Sequence, residues 1–365
     1  MSRFQERRQK LRKLLKAAGI PSLLVSETNN VSYLTGFTGD ASCLLLTPSD
    51  AIVLSDGRFI EQLERECPDL DAEIRLPGTT FPELLERTVG KLKLKLQSIG
   101  LEADVTTLST HEQLVRQLPN VNWVSTRGLV EGLREIKDAE ELAAIRRAID
   151  VAQRAFAVMR AKLLPSNTEK DLADELDHQI RQFGGAGCCF EPIVGVGPNG
   201  ALPHYRAGLV RIEESPFVLI DWGARVGQYI SDLTRVLVTG KIPPKLERLY
   251  GVVLTAQLRA IEAIRPGVPL EEVDAAARKV IEKAGFGPHF THGLGHGIGM
   301  AVHESPRMAV KQRQTLKAGM VVTVEPGIYL PGWGGIRIED DILVTRTGHE
   351  VLSSVPKALE DCVVH

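Results

Sequence analysis

Two stretches, FVLIDWGARVGQYISDLTRVLVTG (residues 217–240) and VVTVEPGIYLPGWGGIRIEDDILVT (residues 321–345), set acidic side chains inside runs that otherwise read as buried strands. No other feature limits the fold as strongly. A carboxylate on an apolar strand is costly to bury unless it is paired or bound to a cation. Each stretch also holds glycines where the chain can turn, so each reads as an antiparallel hairpin. In the first, an apolar run ends at Asp221 and the returning run carries Asp232. In the second, Glu325 closes one strand and Glu339 lies on the returning one. Period-two alternation sets Ile336 and Ile338 on one face, with Arg337 and Glu339 on the other.

A single Asp or Glu at a strand end usually caps, bridges or faces water. Four of them on two hairpins, with a histidine-rich segment between, point to chemistry instead. That segment, THGLGHGIGMAVHE (residues 291–304), holds three of the nine histidines of the chain. His292 and His296 have the spacing of H-E-x-x-H, which puts two zinc ligands on one helix face, but Gly293, Leu294 and Gly295 lie between them. The glutamate is absent, and each glycine weakens a helix by roughly 1 kcal/mol relative to alanine, so the segment reads as strand or loop. The four carboxylates carry a charge of −4, which two divalent cations would neutralise. One imidazole among oxygens suits Mn2+ or Co2+ at least as well as Zn2+. Two such cations polarise a carbonyl or phosphoryl oxygen and activate a water, so the pattern is that of a dinuclear hydrolase.

The remaining sequence sets the frame. At 365 residues the chain has room for two domains, and its net charge of −2 gives no reason to expect nucleic acid or an anionic membrane as a partner. No apolar run approaches the roughly 18 residues of a membrane span. The five cysteines (Cys43, Cys67, Cys188, Cys189 and Cys362) are odd in number and contain no C-x-x-C. A reducing cytoplasm is therefore expected, with the vicinal Cys188 and Cys189 as buried bystanders. The basic amino terminus lacks an apolar signal core, and Leu11, Leu14 and Leu15 before Gly19 predict a first helix.

PSLLVSE, ASCLLLT and AIVLSD read as strands, and TTFPELLERTVGKL as a helix entry. Near residue 135 the character changes. Asp138 is a good N-cap for a helix with Leu142, Ile145 and Ile149 on one face, ended by Pro165. Further helices are expected at about 168–183, 244–264 and 270–284, interleaved with strand pairs. The expected class is α+β: an α/β domain over 1–134, then a catalytic domain over 135–365.

At DWGARVGQYISDLTR, HGLGHGIGMAVHE, TVEPGIY and GGIRIEDD, in that order, the chain resembles the pita-bread metallopeptidases, most closely their Xaa-Pro aminopeptidases and Xaa-Pro dipeptidases (prolidases). NVSYLTGFTGDAS and LREIKDAEELAAIRRA extend the likeness to the creatinase-like amino-terminal domain and the domain junction. The resemblance implies two divalent ions, Mn2+ foremost with Co2+ or Zn2+ as alternatives, on Asp221, Asp232, His296, Glu325 and Glu339. Asp232 and Glu339 would bridge both ions, Asp221 would complete one site, and His296 and Glu325 the other. It also implies that Glu325 moves the proton and that His204 or His303 stabilises the oxyanion. His292 would face substrate, and Arg337 would support the ligand network beside it.

The activity implied is an exopeptidase cutting between an N-terminal residue and a following proline: an Xaa-Pro aminopeptidase, or alternatively a dipeptidase restricted to Xaa-Pro. A non-catalytic binding homologue on the same fold would lack ligands, and none is missing. Methionine aminopeptidase fits less well, because it usually lacks the large amino-terminal domain. A dipeptidase needs a cation for the proline carboxylate, and Lys311 and Arg313 in VKQRQTLKAG lie near where prolidases place an arginine. Relatives are usually dimers, so a homodimer is expected. GVGPNG (195–200) matches the dinucleotide fingerprint literally, but ALPHYRAG follows where a helix must open, so it reads as a loop carrying His204.

Overall fold

Short apolar runs bounded by Ser, Asp and Thr cannot sustain a helix, and near the amino terminus they pair into a sheet. The computed structural model describes residues 2–92 and 98–364. The chain divides into two units, Met1–Arg134 and Glu135–His365.

Strands β1 (Leu23–Val25), β2 (Cys43–Leu46), β3 (Ala51–Asp56), β4 (Asp71–Arg75), β5 (Ser98–Glu102) and β6 (Asn122–Thr126) make the sheet of the first unit, in the order β4-β3-β2-β1-β5-β6. β2 runs antiparallel to β1 and β3, while β1–β5, β5–β6 and β3–β4 are parallel. Helices α1 (Arg3–Ala17), α2 (Thr28–Thr35), α3 (Ile60–Glu66), α4 (Phe81–Lys91), α5 (Leu108–Gln117) and α6 (Glu131–Arg134) connect them. α1 buries Leu11 and Leu15 and leaves Leu14 exposed. α4 starts where Thr80 and Glu83 form a reciprocal capping box, which satisfies two orphan N–H groups.

The second unit opens with α7 (Ala139–Ala161), capped by Asp138 and Glu141 in the same way, followed by α8 (Glu169–Gln182). Ile145 and Ile149 are buried, as a helical stripe requires. Strands β7 (Gly187–Cys188), β8 (Ile193–Val196), β9 (Phe217–Trp222), β10 (Ala224–Val226), β11 (Tyr229–Ile230) and β12 (Leu233–Val238) come next. Helices α9 (Pro244–Ala263) and α10 (Leu270–Lys283) precede β13 (Gly295–Gly297), β14 (Glu304–Met308), β15 (Val321–Val324), β16 (Gly327–Leu330), β17 (Gly334–Arg337), β18 (Asp340–Val344) and β19 (His349–Val351). Among the described residues, no helix is long and apolar enough to cross a membrane.

Neither acidic stretch folds as a simple hairpin. β9 and β12 pair antiparallel with Asp221 opposite Thr234, but the chain between them leaves to form β10 and β11 in a separate sheet with β7. In the second stretch the pairing is interrupted. β15 meets β18 with Val324 opposite Asp340, and β16 meets β17 with Gly327 opposite Arg337. Glu325 and Glu339 sit at this break, just off the ends of their strands. The break belongs to the site, since a ladder carried straight through would aim alternate side chains to opposite faces. Glu339 N–H donates to Thr234 O (3.2 Å), which joins the β12-β9-β8 sheet to this junction.

Candidate metal centre

The two interrupted hairpins and the histidine strand converge. Ligand-type atoms of Asp232, His296 and Glu339 lie within 4.8 Å of one another. His296 Nε2 is 3.3 Å from Glu325 Oε1 and 3.8 Å from Asp232 Oδ2. Asp221 pairs with Arg337, and one of its oxygens, Oδ1, is buried without a hydrogen-bond partner. His296 lies on a strand, β13, where the flanking Gly295 and Gly297 admit close neighbours: a Cβ on Gly295 would meet Thr323 O at 2.2 Å.

Burial raises the carboxyls of Asp221, Asp232 and Glu339 above their ordinary range, and repulsion from neighbouring carboxylates adds to it, while Arg337 pulls Asp221 and Glu339 back in part. Glu325 goes the other way. Burial alone would raise it, but the hydrogen bond and charge of His296 bring it down to about 2. His296 shows the converse: burial works against its charge, and Glu325 raises it nonetheless. Asp221, Asp232 and Glu339, all buried, and the partly buried Glu325 crowd around His296 and the Arg337 guanidinium. This negative excess and the orphaned Asp221 oxygen fit a cation-binding role.

A supporting layer surrounds the cluster, and sequence reasoning named only part of it. Arg337, 2% exposed, donates Nε to Thr234 Oγ1 (3.0 Å), Nη1 to the Tyr329 hydroxyl (2.7 Å) and Nη2 to Asp221. The Thr234 hydroxyl donates a hydrogen bond to Glu339 Oε2 (2.6 Å), while Thr323 Oγ1 lies 3.3 Å from Glu325 Oε1. Asp232 N–H donates to the buried Asp341 Oδ2 (3.1 Å). Behind Glu339, its carbonyl accepts from Arg235, whose guanidinium also pairs with Asp340 at 2.7 Å. None of Thr234, Thr323, Tyr329 or Asp341 has a sequence signal beyond being polar in an apolar run.

The three histidines expected to face substrate differ. His292 Nδ1 is 2.7 Å from Gly293 O and therefore carries a proton, which leaves Nε2 to accept from the Tyr329 hydroxyl at 2.8 Å. The Tyr329 oxygen in turn accepts from Arg337, so both ring nitrogens of His292 are engaged. Burial lowers His292 below its usual pKa, consistent with a neutral ring. His303 packs edge-on against His296 with ring centroids 4.3 Å apart. Partial burial lowers it, helped by the charges of His296, His204 and Arg307. His204 is exposed, on a loop after a 3-10 turn (Gly197–Ala201). GVGPNG thus spans the end of β8 and that turn, with no helix opening behind it.

One cation was missed. Arg307 on β14 is the cross-strand partner of His296, so both side chains project from the same sheet face. Lys311 and Arg313 lie past the end of β14 and are exposed, with Lys311 at φ 64°.

Both parts of the chain resemble known proteins. Residues 143–346 match metallopeptidase family M24, and residues 7–136 match the creatinase/prolidase N-terminal domain. An Xaa-Pro dipeptidase from Pyrococcus furiosus is 32% identical, covering 98% of this chain and 100% of its own. Among solved structures, an Xaa-Pro dipeptidase from Bacillus anthracis superposes with a TM-score of 0.94 at 35% identity, over 99% of each chain. An X-Pro aminopeptidase from Thermotoga maritima gives 0.87 at 32% identity, over 96% of this chain and 99% of that one. With a creatinase-type amino-terminal domain followed by a pita-bread domain that gathers the acids and His296, the chain belongs to metallopeptidase family M24.

Proposed function

We propose that this enzyme is an exopeptidase that hydrolyses the bond between an N-terminal residue and proline, with two divalent cations held by Asp221, Asp232, His296, Glu325 and Glu339. The observation carrying the proposal is the convergence of Asp232, His296 and Glu339, with Glu325 and Asp221 beside them. An oxygen-rich set with one imidazole favours Mn2+. The cations would supply Lewis acidity for the substrate carbonyl and a water nucleophile at neutral pH.

The protein groups do the rest. Glu325, ionised at neutral pH, accepts the proton of the attacking water and returns it to the departing proline nitrogen. His303 and His204, on the open side, donate toward the carbonyl oxygen as negative charge develops there. Arg337 and Thr234 hold Asp221 and Glu339 in place. The setting proposed is a reducing cytoplasm, in keeping with five free thiols, and the working form a homodimer.

Between dipeptides and longer peptides, Arg307 tips the reading toward the dipeptidase. A guanidinium beside His303, on the same face as His296, suits a proline carboxylate bidentately, whereas a longer peptide has a neutral amide there. Ala-Pro and Ala-Pro-Ala offered to Mn2+-loaded enzyme, with alanine release followed, provide the test. Ala-Pro is expected to be cut faster, and Arg307→Ala is expected to raise KM for it on the order of tenfold to a hundredfold. Faster release from Ala-Pro-Ala, with Arg307→Ala silent on both, points to the aminopeptidase.

Metal uptake itself has a signature. Because Asp232 and Glu339 hold protons above the ordinary carboxylate range in the metal-free fold, Mn2+ must displace protons to bind. Calorimetry in buffers of different ionisation enthalpy is expected to show proton release, and affinity should fall as pH is lowered. Uptake without proton release, and with the same affinity at every pH, would contradict the assigned ligands.

A further inference from the structure

Glu169 is fully buried at the first turn of α8, outside the metal cluster, and both of its oxygens are committed to one loop. Oε1 accepts the N–H of Val196 (2.8 Å) and the side-chain amide of Asn199 (2.8 Å). Oε2 accepts the hydroxyl of Tyr205 (2.9 Å) and the N–H of Gly208 (3.0 Å). The amide of Asn199 also reaches the Tyr205 oxygen at 3.0 Å, which ties the two sides together. One carboxylate therefore grips the loop before and after its tip. His204 lies between those grips, next to Tyr205.

The grip is closely fitted. A Cβ on Gly208 would stand 2.8 Å from the Tyr205 hydroxyl and 3.2 Å from Glu169 Oε2, so only glycine leaves room for the contact. On its other side the loop rests on the strand that carries Arg337. A Cβ on Gly335 of β17 would come within 1.9 Å of Gly200 O. The helix start favours a negative charge at Glu169. Four donors on one anion are a stronger restraint than four neutral hydrogen bonds.

We propose that Glu169 is the positioning residue for His204: it sets the loop 199–208 so that His204 faces the reacting carbonyl beside His303. The inference rests on the reading that His204 takes part in hydrolysis. It adds a remote anchor whose loss loosens the site without touching metal or substrate. Glutamine in its place keeps one acceptor but turns an N–H toward the N–H of Gly208, which opens the return side of the loop.

The test is a double-mutant cycle on Mn2+-loaded enzyme, with Glu169→Gln, His204→Ala and the pair assayed on Ala-Pro. In the native background Glu169→Gln is expected to lower kcat on the order of tenfold or more, with KM changed less, because small misplacements of a catalytic group act on the reacting state. In the His204→Ala background the same substitution is expected to cost less than about twofold, since coupled residues lose the same interaction only once. Equal costs in both backgrounds would mean that Glu169 merely stabilises the fold, and would overturn the proposal. Tryptic cleavage after Arg206, which is exposed, reads the anchor without activity: it is expected to quicken in Glu169→Gln, and an unchanged rate also overturns it. Tyr205→Phe, which removes the hydroxyl's bonds to Glu169 and Asn199 but leaves the other three donors on Glu169, should repeat both effects at smaller size and covers the case of a Glu169 variant that does not fold. A fully active His204→Ala is a separate failure, visible in that single variant, and it removes the role assigned to His204 itself.

Discussion

Glu325→Ala is expected to lower kcat on Ala-Pro on the order of 10³-fold or more, because it deletes a metal ligand and the proton acceptor together. The reason for choosing this carboxylate over its neighbours is electrostatic. Asp221, Asp232 and Glu339 are pushed up by burial and mutual repulsion, whereas the pairing with His296 holds Glu325 at about 2. Of the four, Glu325 is the one whose pairing with His296 outweighs its burial, and an ionised carboxylate is what a proton acceptor requires. Glu325→Gln separates the two roles. It keeps an oxygen for the cation but has no base, so metal content measured by plasma spectrometry should be partly retained while kcat stays at the alanine level. Near-normal kcat in either variant removes Glu325 from the mechanism. Normal kcat in the glutamine variant alone leaves it as a ligand only.

What the sequence disclosed and what it withheld divide along a physical line. Asp138 is legible as a helix start because an N-cap is a local device, and the structure adds Glu141, which completes a capping box within four residues. The acids on apolar strands were readable because an uncompensated buried charge has few explanations. The helix starting at Glu169 was legible, but the purpose of Glu169 was not, since its four donors come from residues 196 to 208. Arg307 was missed for a related reason. Its placement opposite His296 depends on strand register, and the ladder shifts between His296 and Gly297, so no counting along the chain yields the pair. Lys311 and Arg313 lie nearer to the position that the family resemblance implies for a cation, but they fall beyond the strand end. Tyr329 and Thr234 face Arg337 across a hairpin and a sheet junction, and nothing in their own neighbourhood marks them.

Arg337 is where fold and site depend most on each other. Its guanidinium pairs with Asp221, and it also holds Tyr329 and Thr234 while only 2% of the residue is exposed. Arg337→Met keeps much of the volume and removes the charge, which leaves Asp221 buried with neither partner nor cation in the metal-free protein. Breaking a buried pair from one side typically costs about 3–5 kcal/mol, so urea unfolding of metal-free Arg337→Met should show a loss of that order. Saturating Mn2+ should recover part of it, because a cation on Asp221 replaces the missing charge. Asp221→Asn added to Arg337→Met should also recover stability in the metal-free state, by removing the stranded charge, yet it should bind metal worse than either background. If Arg337→Met costs less than about 1 kcal/mol without metal, Asp221 must already be protonated there. In that case the guanidinium serves to orient Tyr329 and, through it, His292, and the double variant should bring no recovery at all.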